Sequence, residues 1–404
     1  MYTKFQQQRL GQSPSENELN INTGSLGAAY FAASMAEIDE SRDWQQLLSL
    51  QLNSIFKALG LNSYPHAGML GGLTGLAFLL QTSRQRPEEY ASALRKLEGR
   101  ILYHLDKGLE NLKTSIGMPR FEYDYSCGIT GMLYHFQQFR PDAAEQQLVV
   151  DRALQYLIDT AQSGFNNFFW TPSVAVPEEV IEQEPKAAFG ILDFGQAHGI
   201  CGVLGLLLAH QRQTQLEDIE TAIEAIIDAA AYGYETSIVP GIPYYLCGHP
   251  EVNAWFGDGS SDYSAGPLAR NGWCYGLPIL EAYSAKYGIE LPNGMSMSFD
   301  SPEFQDPNLG VFNEAGLCHG IAGRMALNYL IHKPIPDTWW TLAEQLLDDF
   351  NQAHDEGTTG KLTIDHGFWD GVGGLIVVVE AIRQAKPLPK QLQILGLPYG
   401  NITM

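Results

Sequence analysis

The chain has 404 residues, 45% of them hydrophobic and 17% charged, enough to bury a large core. Lys and Arg total 24 against 46 Asp and Glu, a formal charge of −22. That balance disfavours nucleic acid, whose phosphates need clustered positive charge, and anionic membrane surfaces.

In chain order, glycines punctuate the sequence. "GSLGAAYFAAS" begins at Gly24 and precedes "RDWQQLLSLQLNSIFKAL", whose apolar residues recur at helical spacing. "GLTGLAFLL" begins at Gly72, and Pro87 followed by two acids then opens "PEEYASALRKLEGRILYHLDKGLENL", a good helix start. "GITGMLYHF" at Gly128 precedes "AAEQQLVVDRALQYLIDTA", and "GICGVLGLLL" at Gly199 precedes "LEDIETAIEAIIDAAAYGY". "GLPILEAY" follows at Gly276, "GIAGRMALNYL" at Gly320, then "DTWWTLAEQLLDDFNQA", and finally "GVGGLIVVVEAI" at Gly371. Six of the seven glycine segments read G-x-x-G before an apolar run; the one at Gly276 keeps only the first glycine. Spacings of roughly 45 to 80 residues make this a degenerate repeat. Strand-type alternation is nearly absent.

Two kinds of helix therefore alternate. One starts at the glycines and is apolar all round, as a buried helix must be; the other is amphipathic and belongs outside. The expected fold is all-α: an α/α toroid of seven inner and seven outer helices forming a single domain over residues 1–404. An open solenoid is the alternative, but its periods are usually more regular. Glycines at the inner starts would let backbones crowd together where the barrel narrows.

The reactive residues sit beside these glycines. Asp124 lies in "EYDYSCGITG", His198 in "QAHGICG", Cys274 in "NGWCYG", and Cys318 and His319 in "LCHGIAG". If all inner helices start at one end, these residues converge at one mouth. Two thiolates and one imidazole leave a tetrahedral position open, the pattern of a catalytic zinc, and soft sulfur favours zinc over magnesium or calcium. A zinc made electron-rich by two thiolates suits the holding and deprotonation of a further thiol. Of the other cysteines, Cys127 and Cys201 are expected in the core and Cys247 in loop packing. His366 and His66 are weaker candidates for the mouth. The long stretches Phe165–Gly195 and Pro240–Leu268 each lead into a site motif and are expected to lie over the mouth. Their aromatics, in "NNFFW", "IPYYL" and "AWFGDG", suit an extended peptide.

The first residues, "MYTKFQQQRLGQSPSENELN", lack the apolar core of a signal peptide, and no apolar run reaches the length of a membrane span. With five cysteines, an odd count, and no export signal, a reducing cytoplasm is expected.

"DYSCGITG", "AHGICG", "RNGWCYG" and "LCHGIAG", in that order, resemble the lanthionine synthetase C-like (LanC) cyclases, and the glycine segments extend the resemblance over nearly the whole chain. The resemblance implies an α/α toroid with zinc on Cys274, Cys318 and His319. It also implies functional roles for His198, Asp124 and Arg270, with His198 moving protons, Asp124 orienting it, and Arg270 holding Asp124 or the enolate. The implied reaction joins cysteine thiols of a precursor peptide, leader plus core, to dehydroalanine or dehydrobutyrine, forming (methyl)lanthionine thioethers. The implied partners are a separate dehydratase, for which this chain has no room, and a transporter. No integral membrane segment is expected, and any membrane association would be loose and through those partners. The stretch from Phe78 to Tyr123 looks helical, without the strand-rich insertion of some members.

Rival readings are a glutathione-binding LanC-like protein, a non-catalytic zinc scaffold and a zinc prenyltransferase-like toroid. An (α/α) glycosidase would need paired carboxylates, for which Asp193, Asp258 and Asp262 are weak candidates.

Overall fold

The computed structural model describes residues 18–22, 24–61, 66–83, 87–141, 143–164, 168–214, 217–237, 241–248, 263–269, 271–292, 294–295, 314–356 and 367–397. In chain order the helices are α1 (Ser25–Ile38), α2 (Trp44–Leu61), α3 (Leu73–Thr82), α4 (Pro87–Thr114), the short α5 (Arg120–Tyr123), α6 (Ile129–Gln138) and α7 (Ala144–Gln162). The short α8 (Glu178–Gln183) follows, then α9 (Ile200–Thr214), α10 (Glu217–Thr236), α11 (Leu277–Tyr287), α12 (Ile321–Leu330), α13 (Asp337–Asp355) and α14 (Val372–Arg383).

The glycine-led helices α1, α3, α6, α9, α11, α12 and α14 are the inner ring. Each packs on the next, and α14 packs back on α1. That last contact closes the ring and makes the fold a toroid. Inner helices are buried on every side: in α3 all residues but Gln81 are buried. The amphipathic α2, α4, α7 and α10 lie outside α1, α3, α6 and α9, and α13 lies outside α12 and α14. The expected set of seven outer helices also involves residues outside the described set, such as 296–313.

The glycines have a specific reason. The first glycine caps the inner helix with extended backbone at Gly24, Gly72, Gly128, Gly320 and Gly371. At the second, a Cβ would strike the carbonyl oxygen six residues upstream: Ile21 for Gly27, Met69 for Gly75, Tyr125 for Gly131, Gln196 for Gly202, Leu317 for Gly323 and Phe368 for Gly374. The closest contact is the chain's own tight turn, and neighbouring repeats crowd in as well, Met69 Cβ at 2.9 Å for Gly131 and Leu317 Cγ at 2.6 Å for Gly374. The turn before α11 differs. Gly276 adopts φ +98°, which a side chain would strain, and Ile279 stands where the second glycine would be.

A belt of hydrogen bonds joins the turns. The amide of Leu70 donates to Ser126 O (3.1 Å), Ser126 to Ala197 O (3.0 Å), Gln196 to Cys274 O (2.7 Å), Cys274 to Cys318 O (3.0 Å) and Leu317 to Trp369 O (2.6 Å). Asp370 N then donates to Asn22 Oδ1 (3.0 Å). The acceptor positions Ser126, Ala197, Cys274, Cys318, Trp369 and Asn22 all lie two residues before the first glycine of their repeat. Each such bond adds a net ~0.5–1.5 kcal/mol, but its larger effect is registration. It sets every turn, and the side chains on it, at one level.

The lumen is filled by the chain itself. After α14 a 3-10 turn, Lys390–Leu395, runs up the ring with Gln391, Leu392, Ile394 and Leu395 buried. Gln391 bonds Thr82 O at the far end of α3, while Ile394 O and Leu395 O accept from Tyr125 and Trp273 beneath the mouth.

The two long stretches meet in a small sheet absent from the sequence expectation. Strands β1 (Trp170–Thr171), β2 (Ile191–Asp193), β3 (Tyr245–Cys247) and β4 (Ser264–Ala265) pair antiparallel in that order. Trp170 faces Leu192, Ile191 faces Cys247, and Leu246 faces Ala265. Strands of two or three residues are too short to show a period-2 pattern.

Candidate metal centre and active site

The belt delivers the metal-binding side chains. Cys274 precedes α11, and Cys318 and His319 precede α12. The backbone bond from Cys274 N to Cys318 O holds the two turns together. Gly272 is required here, because a Cβ would come within 2.7 Å of His319 Cα. One ligand atom from each of Cys274, Cys318 and His319 lies within 4.8 Å of the others, and Cys274 Sγ stands 3.9 Å from His319 Nδ1. Zn–S bonds of about 2.3 Å and Zn–N bonds of about 2.0–2.1 Å at tetrahedral angles place donor atoms about 3.5–3.8 Å apart. The cluster is within about an ångström of that geometry, and three soft or borderline donors with one position left over fit zinc.

His319 Nε2 contacts Glu314 Oε2 at 2.6 Å, which presents Nδ1 to the cluster. A carboxylate on the far nitrogen fixes the tautomer and orientation of a metal-ligating imidazole. The Cys318 thiol is held well above its ordinary pKa, first by its hydrogen bond with Cys274 and then by burial. The imidazole of His319 is raised to about 8, chiefly by its hydrogen bond with Cys318, with the negative charge of Glu314 adding to it.

His198 and Asp124 form the second half. His198 Nδ1 lies 2.6 Å from Asp124 Oδ2, with Asp124 wholly buried and His198 31% exposed. The other carboxylate oxygen accepts from the amides of Cys127 (2.6 Å) and Gly128 (2.9 Å) at the start of α6. An ionised carboxylate can only accept, so Nδ1 carries the proton and Nε2 is left for proton transfer. Phe121 meets the imidazole edge-on at 5.7 Å. The two halves adjoin through the bond from Gln196 N to Cys274 O.

The expected residues Cys274, Cys318, His319, His198 and Asp124 thus come from turns of one belt. Arg270, Asp258, Asp262 and His366 lie outside the described residues. Cys201 is in the core, and Cys247 is buried in β3 with its Sγ donating to Ser264 O. Cys127 corrects the expectation of a core residue. It is partly exposed and lines a cavity of about 450 Å³ with His66, His104 and Lys107, and burial followed by the Asp124 charge pushes its thiol up to about 12. His66 accepts from Gly68 N. Both long stretches border the site in their described parts: Phe194 N donates to Tyr244 O, and Tyr244 packs edge-on to Tyr275, next to Cys274, at 4.7 Å. Sequence reading missed Glu314, whose only signal is an acid five residues before His319. It also gave no role to Arg120 or Tyr275, both bound to Asp193.

A family model for lanthionine synthetase C-like proteins matches residues 15–280, well over half the sequence, and the chain belongs to that family. The match includes Asp124, His198 and Cys274 and stops short of Cys318 and His319, which the fold supplies. Among solved structures, the chain is similar to "Nisin cyclase", with a TM-score of 0.69 and 19% identity over 96% of this chain and 94% of that one. At that identity the likeness establishes the fold. No curated protein matches by sequence. Among the described residues no helix is long and apolar enough to cross a membrane.

Proposed function

We propose that the chain is a zinc-dependent lanthipeptide cyclase that adds precursor-peptide cysteine thiols to dehydroalanine and dehydrobutyrine, forming (methyl)lanthionine thioethers. The observation that carries this reading is the adjacency of two half-sites in a LanC-like toroid: a Cys274–Cys318–His319 donor set and a His198–Asp124 pair, joined by one backbone hydrogen bond.

Zinc held by Cys274, Cys318 and His319 would offer one open position that takes a substrate thiol and lowers its pKa. His198 accepts the thiol proton at Nε2. After sulfur bonds to the β-carbon, His198 returns that proton to the Cα of the enolate, so S–H adds across the C=C bond without loss of atoms. Asp124 keeps the imidazole in the required tautomer and steadies its charged form. Arg270, four residues before Cys274, is assigned the developing negative charge through the family resemblance. Tyr244 and its aromatic neighbours are proposed to hold the extended peptide. The partners of this reading are a dehydrated leader-plus-core precursor, a separate dehydratase and a transporter, working in the cytoplasm.

The test incubates the purified chain with a dehydrated cysteine-containing peptide and counts alkylatable thiols by mass spectrometry. Thiol loss well above the no-enzyme rate is expected. Metal binding without thiol loss would replace the reading with that of a scaffold, and the absence of both metal binding and thiol loss would overturn it outright.

A further inference from the structure

Asp193 lies at the end of β2, 1% exposed, and ties three site turns together. Its Oδ1 accepts from Gly195 N at 2.8 Å, in the turn that carries His198. Its Oδ2 accepts from the Tyr275 hydroxyl at 2.9 Å, beside the donor Cys274, and from Arg120 Nη1 at 3.2 Å, just ahead of Asp124. The packing is close: a Cβ on Gly195 would come within 2.6 Å of the Tyr275 ring. The Arg120 guanidinium lies 4.7 Å over Phe121, the ring that borders His198. A buried carboxylate without such partners would be strongly destabilising, and all three donors come from segments that build the site.

We propose that Asp193 is a positioning residue that couples the metal turn to the acid–base turn. By accepting the Tyr275 hydroxyl's hydrogen bond it fixes that ring as a wall beside Cys274 and commits the phenol to Asp193 rather than to substrate. By holding Arg120 it keeps one fixed cation against Phe121, on the His198 side of the mouth. The kinetic part of this inference rests on the cyclase reading; the structural coupling does not.

The test uses the full chain, loaded with Co(II) for spectroscopy and with Zn(II) for turnover of a peptide bearing one dehydroalanine and one cysteine. Asp193→Asn keeps the shape and removes the charge, and Tyr275→Phe removes only the hydroxyl. Both are expected to bind one metal and to shift the Co(II) ligand-field bands in the same direction. Both should lower kcat ~10–100-fold, the usual outer-shell effect, with KM nearly unchanged. The double variant should be no worse than the poorer single one, since both break the same tie. Unchanged bands in both variants, losses that multiply in the double variant, or a fully active Tyr275→Phe would overturn the coupling. If Asp193→Asn fails to fold, Tyr275→Phe decides by the same criteria. Shifted bands with an inactive wild type would support the coupling and count against the cyclase reading alone.

Discussion

His198 and Asp124 meet at 2.6 Å, and the remaining carboxylate oxygen is taken by two amides. Cys274, Cys318 and His319, two turns further round the same belt, bring one ligand atom each within 4.8 Å of the others, with Cys274 Sγ 3.9 Å from His319 Nδ1. Hydrogen bonds to a carboxylate and two backbone amides hold the first pair, whereas two thiols and an imidazole gain chiefly when a cation replaces their protons. The acid–base half is therefore held by hydrogen bonds, and the metal half is arranged to draw its binding energy from a cation.

Variants should break the two halves differently. Cys318→Ala is expected to lose stoichiometric metal and all turnover above background, seen by metal analysis and thiol counting. His198→Asn should keep one metal per chain, because His198 Nδ1 is taken by Asp124 and the donor cluster is Cys274, Cys318 and His319, and should slow thioether formation ~10²–10⁴-fold, the usual worth of general acid–base help. Metal loss in His198→Asn would merge the halves.

The pH response should separate them as well. With His319 raised to about 8 and Cys318 well above its ordinary value, both carry protons in the metal-free chain below pH 8. Ligation displaces both, so metal affinity is expected to rise by at least about 100-fold per pH unit well below 8 and to be lost as pH falls. Metal-free stability runs the other way. The raised His319 pKa contributes fully below its ordinary 6.5 and is lost as pH rises through about 8. Competition with a chelator across pH, alongside thermal midpoints with and without metal, reads both slopes; parallel slopes would contradict the assignment.

The smallest expected effect is that of Glu314→Gln. Weakening the contact to His319 Nε2 should lower metal affinity ~10–100-fold and leave the His198–Asp124 pair intact. Chelator competition at fixed pH measures it.

Much of this was legible in the sequence for a physical reason. A turn that lays a carbonyl on the sixth residue downstream demands glycine there, so inner-helix starts print themselves as G-x-x-G. Metal donors one or two residues before those glycines inherit a fixed level from the belt. The repeat is broken at Gly276 and Ile279, the turn that carries Cys274. The small sheet was illegible because its strands are too short to alternate. Glu314 and Asp193 were illegible because their partners, His319 for one and Arg120 and Tyr275 for the other, are set by turn geometry and by contacts between turns, which no local pattern encodes.

The most direct test of the account is anomalous diffraction on crystals of the purified chain, measured just above and just below the zinc absorption edge. The account expects one strong peak per chain that vanishes below the edge, ligated by Cys274 Sγ, Cys318 Sγ and His319 Nδ1, with His198 outside bonding distance. No peak at that position, or a peak ligated by His198 in place of one of the three, would contradict it.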